Sequence, residues 1–311
     1  EGFLANSHLL SKHKLRASYG LIGSQAINPY STFGLLQFGL PFNAVVDNSS
    51  AILGIAPGRF SNPDLQWETT TQLDAGFDIG FWDGRLSLSV DYYEKNTTDL
   101  LLFVSIPSYT GQASELRNVG ELENKGFEID LSAVLATSED FFWEASLNLA
   151  RNRTKVLDLG DVDNLFIGGA FAGSGSILSR VDVGGELGNF LGYVNDGVWQ
   201  SSEESQAATY GLQPGDTKYR DLNNDGVING DDVTIIGNGN PDFTWGFNNT
   251  FNYKNFELNI FIQSIMGHDI FNIQRAIMLG ASGDVKTPTH GDINDRWTPS
   301  NQDTDIPAFS S

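Results

Sequence analysis

The chain contains no cysteine. Disulfides, thiolate metal ligands and a cysteine nucleophile are therefore excluded. A chain free of thiols fits a protein exported from the cytoplasm. Cations are scarce as well: 18 Lys and Arg stand against 39 Asp and Glu, a net charge of −21. Such a charge repels a phosphate backbone, so nucleic acid is not an expected partner. Divalent cations and polar neutral ligands stay open. No apolar run approaches the ~20 residues of a transmembrane helix. The opening Glu1-Gly2-Phe3-Leu4 lacks the charged and apolar regions of a signal peptide. Neither absence bears on a membrane β-barrel, whose strands are only half apolar.

Enzyme signatures are missing too. His8, His13, His268 and His290 show no paired metal spacing. GSGS (173–176) and GASGD (280–284) lack the glycines of a nucleophile elbow, and GNGNPD (237–242) is not a dinucleotide fingerprint. Acidic pairs such as Glu203-Glu204 and Asp231-Asp232 read as solvated loop. No enzyme is expected.

What is present favours strands and tight turns: 34 Gly and 21 Phe in 311 residues. The length suffices for one large domain or two ordinary ones. Leu73, Ala75, Phe77, Ile79 and Phe81 alternate with Gln72, Asp74, Gly76, Asp78 and Gly80. That period of two means a strand with one apolar and one polar face. Asp83-Gly84 is the favoured pair for a two-residue hairpin turn. The chain then returns through Leu86, Leu88, Val90 and Tyr92. The pattern recurs from Phe127 to Leu135 and from Trp143 to Leu149, around a Thr-Ser-Glu-Asp turn at 137–140. It recurs again from Phe243 to Tyr253 and from Phe256 to Ile262, around Lys254-Asn255.

The predicted hairpins cover about 67–97, 124–152 and 242–264. Their strands run to roughly 10 residues or more, against about 5–6 in soluble sheets. Aromatics gather near the turns, and long segments at 26–62, 103–118, 157–192 and 195–240 join the hairpins. These features predict an all-β fold: part of an antiparallel outer-membrane β-barrel with long extracellular loops. The alternative is a secreted β-sandwich binding module with a calcium-stabilised loop, which the strand length disfavours. A short helix is possible over Ile270–Leu279, and both ends read as cuts through a longer chain.

DLNNDGVINGDD, from Asp221 to Asp232, has the ligand spacing of a calcium loop. Asp221, Asn223 and Asp225 would each give a side-chain oxygen. Val227 would give its carbonyl, Asn229 would contribute directly or through water, and Asp232 would close the loop. Gly226 permits the sharp turn. Asp232 stands where a bidentate Glu is usual, so weak affinity is expected, in the ~10⁻⁴–10⁻³ M range. A turn without metal is the alternative. Dockerin modules carry a similar loop twice, each copy followed by a helix. Here one copy is followed by Val233-Thr234-Ile235-Ile236, which suits a strand.

Aromatics in the polar segments are candidates for stacking on sugars: Tyr30, Phe33, Tyr109, Phe166, Phe171, Tyr193, Trp199 and Tyr210. Packing within the loops or against a partner is the competing reading.

Residues 62–102 (NPDLQWETTTQLDAGFDIGFWDGRLSLSVDYYEKNTTDLLL), 118–133 (NVGELENKGFEIDLSA) and 183–200 (VGGELGNFLGYVNDGVWQ) resemble SusC/RagA-like TonB-dependent outer-membrane transporters. Residues 215–263 and the RWTPSNQDTDIP stretch (296–307) do so as well. The resemblance implies a 22-stranded barrel around an N-terminal plug. It implies a place in the Gram-negative outer membrane, among its lipids. It further implies import of oligosaccharide or peptide nutrients, driven by the TonB complex through an N-terminal region, under a SusD-like lipoprotein lid. The plug, the TonB box and the final strands are not in this sequence. It therefore matches one partial barrel domain over 1–311.

Overall fold

The period-two segments become seven long antiparallel strands in the computed structural model. It describes residues 10–308 apart from 26, 39–43, 46–50, 53, 113, 168–178 and 280–290. His8, His290, Phe171 and the segments 173–176 and 280–284 lie outside the described residues. The strands are β1 (Leu10–Ser24), β2 (Glu68–Phe81), β3 (Leu86–Thr98) and β4 (Glu121–Thr137). β5 (Phe141–Asp158), β6 (Phe243–Tyr253) and β7 (Phe256–Met266) complete the set. Each pairs with its neighbour in sequence order, forming one meander.

The three predicted hairpins are β2–β3, β4–β5 and β6–β7. At the first, Phe81 pairs with Leu86, so the turn holds four residues rather than the expected two, and Trp82, Asp83 and Gly84 all take positive φ, of 49°, 55° and 85°. Arg85 N–H donates to the Trp82 carbonyl at 3.1 Å. Short turns thus close one end of the sheet, while 25–67, 99–120 and 159–242 join strands at the other. This is the asymmetry of an outer-membrane barrel. A sandwich would instead show two packed sheets of shorter strands. Seven strands in one sheet displace that alternative.

Register turns the alternation into continuous rows. Leu15, Phe77, Val90, Ile129, Leu149 and Trp245 lie side by side across six strands. The next row is Ile79, Leu88, Leu131, Leu147, Phe247 and Ile262. The opposite face carries Asp78, Ser89, Asp130, Asn148 and Gln263 in register with Gly246. A one-residue slip would exchange the faces, so this register is strongly specified.

The apolar face is banded. Arg151 follows Phe141 by ten residues on β5. At ~3.3 Å per residue and a tilt of about 40°, that climbs roughly 25 Å, the height of a lipid-facing band. Beyond it the same face becomes charged: Lys125 Nζ lies 3.3 Å from Glu94 and 2.8 Å from Glu123. Near the short turns Asn249 shares the apolar face. It is buried, and Trp143 Nε1–H donates to its Oδ1 at 3.1 Å. Trp143 also stacks on Phe251 with centroids 5.4 Å apart. A polar side chain is tolerated there because its hydrogen bond is made.

A second unit comprises 165–181, 187–241 and 267–311. The 195–240 stretch was expected to be irregular. In fact it holds antiparallel pairs, Asn195–Val198 with Thr217–Tyr219, while Val233–Asn238 pairs with Asn189–Tyr193. Helical turns run from Ser201 to Tyr210. Val181, Leu191, Val198, Trp199, Ala207, Trp297 and Ile306 are its buried apolar residues. These strands are too short to show a period, so composition suggested loop. The predicted helix is Ile273–Leu279, shorter at its start than expected.

Candidate functional site

The polar face of the sheet is an organised surface. Arg16 on β1 reaches over β2 to β3, where its guanidinium donates to Asp91 at 2.7 Å and to Ser89 at 3.0 Å. It also pairs with Asp78 at 3.1 Å. Gly76 lies in register between Arg16 and Asp91, and a β-carbon there would collide with the Asp91 carboxylate. Gly126 likewise leaves room for the Tyr93 ring, and Gly246 lies close beneath Asn148. Ser18 and Gln72 both donate to Asp74 at 2.9 Å. Glycines in strands here mark the places where side chains cross flat between neighbours. The result is a face rich in hydrogen-bonding groups, able to line water or a hydrated solute.

In the second unit, the loop at 221–232 is closed by its own hydrogen bonds. Asp221 Oδ2 accepts from Gly226 N–H at 2.9 Å, and Asp225 Oδ1 accepts from Val227 N–H at 2.8 Å. Asp225 N–H is shared by Asn223 Oδ1 at 3.0 Å and Asp221 Oδ1 at 3.3 Å, which draws those oxygens together. Gly226 has φ of 83° and Asn224 of 59°. Asp232 is completely buried, with one oxygen on Leu222 N–H at 2.8 Å and the other on Asn229 N–H at 2.9 Å. These amide donors hold its carboxyl below the ordinary value of 3.8. Asn229 caps the turn that follows, accepting from Asp231 N–H at 2.7 Å. Among the described residues, no three His, Cys, Asp or Glu side chains converge closely enough to hold a metal. Asp221, Asn223 and Asp225 gather around one turn, whereas Asp232 is turned to its backbone donors. The loop leads into a strand at Val233, not a helix.

Trp199 anchors this unit. It is 5% exposed, stacks on Tyr210 at 6.0 Å and carries Lys218 Nζ 4.4 Å above its ring. Lys218 also binds Glu203 at 2.6 Å, and that contact lowers the Glu203 carboxyl. The Tyr210 hydroxyl donates to Asp221 at 3.4 Å. Desolvation first, then the Asp221 charge, pushes its phenol up. Asp196, Glu203, Asp303 and Asp305 border an open polar cleft of about 570 Å³. Asp196 is held down by a hydrogen bond from Arg220, 2.6 Å away.

Comparison with known proteins bears directly on these two surfaces. Residues 5–263 match the family described as TonB dependent receptor-like, β-barrel. This chain belongs to the TonB-dependent receptors. It is 40% identical over 99% of its length to TonB-dependent receptor P26 of Formosa agariphila, covering 30% of that protein. It is 28% identical over 87% of its length to the receptor SusC of Bacteroides thetaiotaomicron, covering 26% of it. The chain thus spans about a third of the length of the curated relatives it matches. The RagAB peptide transporter superposes with a TM-score of 0.75 at 24% identity, over 98% of this chain and 32% of that one. That last likeness shows the fold.

As a TonB-dependent receptor, the chain belongs to a family of outer-membrane β-barrels. The sequence-predicted aromatics divide on inspection. Trp199 is core, Tyr210 packs on it, and Tyr193 lies 5.1 Å from Tyr219. Tyr30, Phe33, Tyr109 and Phe166 are exposed. Sequence reasoning missed the Arg16 network. Its signal was present in Gly76, on the polar side of the alternation.

Proposed function

We propose that this chain supplies barrel wall and loops to an importer of oligosaccharide or peptide nutrients. The TonB complex would energise it, and a SusD-like lipoprotein would cover it. The observation that carries this reading is the continuous polar face, with its Arg16, Asp74, Asp78 and Asp91 network, opposite an apolar band. Such a face hydrogen-bonds a hydrated solute without selecting one charge. The family match supports import, and the peptide named in the RagAB description supports peptide as one substrate class. The test is deletion of the full-length receptor or its paired lipoprotein, followed by growth on defined glycans and peptides. Loss of growth on one class is expected, as is co-purification of the lipoprotein. Unchanged growth on every substrate contradicts the reading.

Calcium at the 221–232 loop is a second proposal. Its support is the donor spacing together with the sharing of Asp225 N–H by Asp221 and Asn223, which brings two oxygen donors close. Asp221, Asn223, Asp225 and the Val227 carbonyl would hold the ion, with Asn229 directly or through water, while Asp232, whose oxygens take the Leu222 and Asn229 amides, would hold the loop closed around it. It would brace a loop that hydrogen bonds already close. Calcium titration of the chelator-treated full-length receptor should raise its thermal midpoint, and Asp225→Ala should abolish that rise. An equal response in wild type and Asp225→Ala would remove the ion from this loop.

A further inference from the structure

The outward face of β5 changes character above the apolar band. Leu149, Arg151, Arg153 and Lys155 are alternate residues in unbroken register with β4, so all four leave the same side of the sheet. Arg153 is committed, to Glu186 at 3.6 Å and to Asp242. On β4, Lys125 is committed to Glu94 at 3.3 Å and Glu123 at 2.8 Å. Arg151 and Lys155 differ from both. They are exposed, and neither makes a hydrogen bond or ion pair among the described residues. The patch therefore carries two open cations, while the carboxylates around them already have partners.

Below these cations the wall is apolar. Phe127, Leu149 and Phe243 line, with Arg151 and Asp242, a pocket of about 390 Å³. Arg151 stands where the roughly 25 Å band ends, on the side of the long connecting segments, which is extracellular in an outer-membrane barrel. Lys155 lies four residues further, roughly 13 Å along the strand and so about 10 Å higher at the same tilt. β5 is paired on both of its sides, so strands added at either edge of the sheet leave its outward face open.

The extracellular leaflet of the outer membrane consists of lipopolysaccharide. Its acyl chains hang from a phosphorylated disaccharide, and acidic sugars stand above the phosphates. The barrel presents the complementary order with height: an apolar wall, then Arg151, then Lys155. We propose that this patch binds lipopolysaccharide. An acyl chain lies against Phe127, Leu149 and Phe243. A phosphate of the disaccharide takes the Arg151 fork, a geometry that favours such groups. The carboxylate of an inner sugar acid meets Lys155. A phospholipid whose phosphate sits on Arg151 has no second anionic group to reach Lys155.

The inference concerns the lipid-facing side and is independent of what the receptor imports. The full-length receptor in detergent is exposed to equal amounts of three probes. Deep-rough lipopolysaccharide keeps the phosphates and the inner sugar acids, lipid A keeps the phosphates alone, and dioleoyl-phosphatidylglycerol is the phospholipid control. Bound lipid is counted by native mass spectrometry. The wild type should retain deep-rough lipopolysaccharide best and the phospholipid least. Arg151→Gln should lower retention of both saccharide lipids about tenfold, the loss of one charge-assisted contact. Lys155→Gln should bring deep-rough lipopolysaccharide down to the level of lipid A and leave lipid A unchanged. Each variant is first checked for the wild-type unfolding midpoint. If Arg151→Gln does not fold, the wild-type ranking and Lys155→Gln still decide. Equal retention of the three probes by the wild type leaves only annular lipid and overturns the proposal. So does an undiminished preference for deep-rough lipopolysaccharide in Lys155→Gln, or unchanged retention in Arg151→Gln.

Discussion

The Arg16 guanidinium spans two strand spacings to meet Asp91 at 2.7 Å, passing over the bare backbone of Gly76. Three strands are tied on their polar face by this one side chain. The arrangement requires glycine at 76, because any side chain there would occupy the Asp91 carboxylate's place. Gly76→Ala in the full-length receptor is predicted to cost about 1–3 kcal/mol, the usual penalty of overpacking. Urea unfolding in detergent measures it. An unchanged midpoint would show that Asp91 is free to move aside.

Asn229 caps the turn that ends the 221–232 loop. Asn229→Ala should destabilise that turn by about 1 kcal/mol, the ordinary loss for an N-cap. Hydrogen exchange at Asp231 and Asp232 should accelerate, with the long strands unaffected. Equal exchange in both proteins would mean the turn is held by Asp232 alone.

Acid should loosen the second unit. The carboxyls of Asp196, Glu203 and Asp232 are all held below their ordinary values by hydrogen bonds in the fold. A group depressed in this way stabilises the folded state fully above its unfolded pKa. That contribution is lost as the pH falls through the lower folded value. The window therefore opens below the ordinary 4.5 of Glu203 and 3.8 of Asp196 and Asp232. Trp199 fluorescence, followed from pH 6 downward, should change in this window, since Lys218 binds both Glu203 and the indole face. Asp232→Asn should shift the transition upward. A flat signal to pH 3 would contradict this coupling.

The strands were legible in the sequence because one face meets an apolar phase along their length. Leu73 to Phe81 and Leu86 to Tyr92 declare that period residue by residue. The hairpin turns were legible because Asp83-Gly84 accepts positive φ. The second unit was not, because strands of three to six residues show no reliable period. Its fold depends on single anchors such as Trp199 and Trp297, whose partners lie far along the chain: Trp297 donates to Gln200 at 3.1 Å. At the loop, spacing located the donors of Asp221, Asn223 and Asp225. It could not show that Asp232 spends its oxygens on Leu222 and Asn229. That choice depends on the path of the backbone, which sequence spacing does not specify.

The row through Ile129 is expected to face lipid, while Asp130 beside it faces water. Without native cysteines in this segment, single cysteines at the two positions can be placed in a full-length receptor otherwise free of them. Each is labelled with a fluorophore and reconstituted in bilayers whose acyl chains carry nitroxide quenchers. Strong quenching is expected at Ile129→Cys and little at Asp130→Cys, with the reverse order for a water-soluble quencher. Equal quenching at the two positions, or the opposite order, would contradict it.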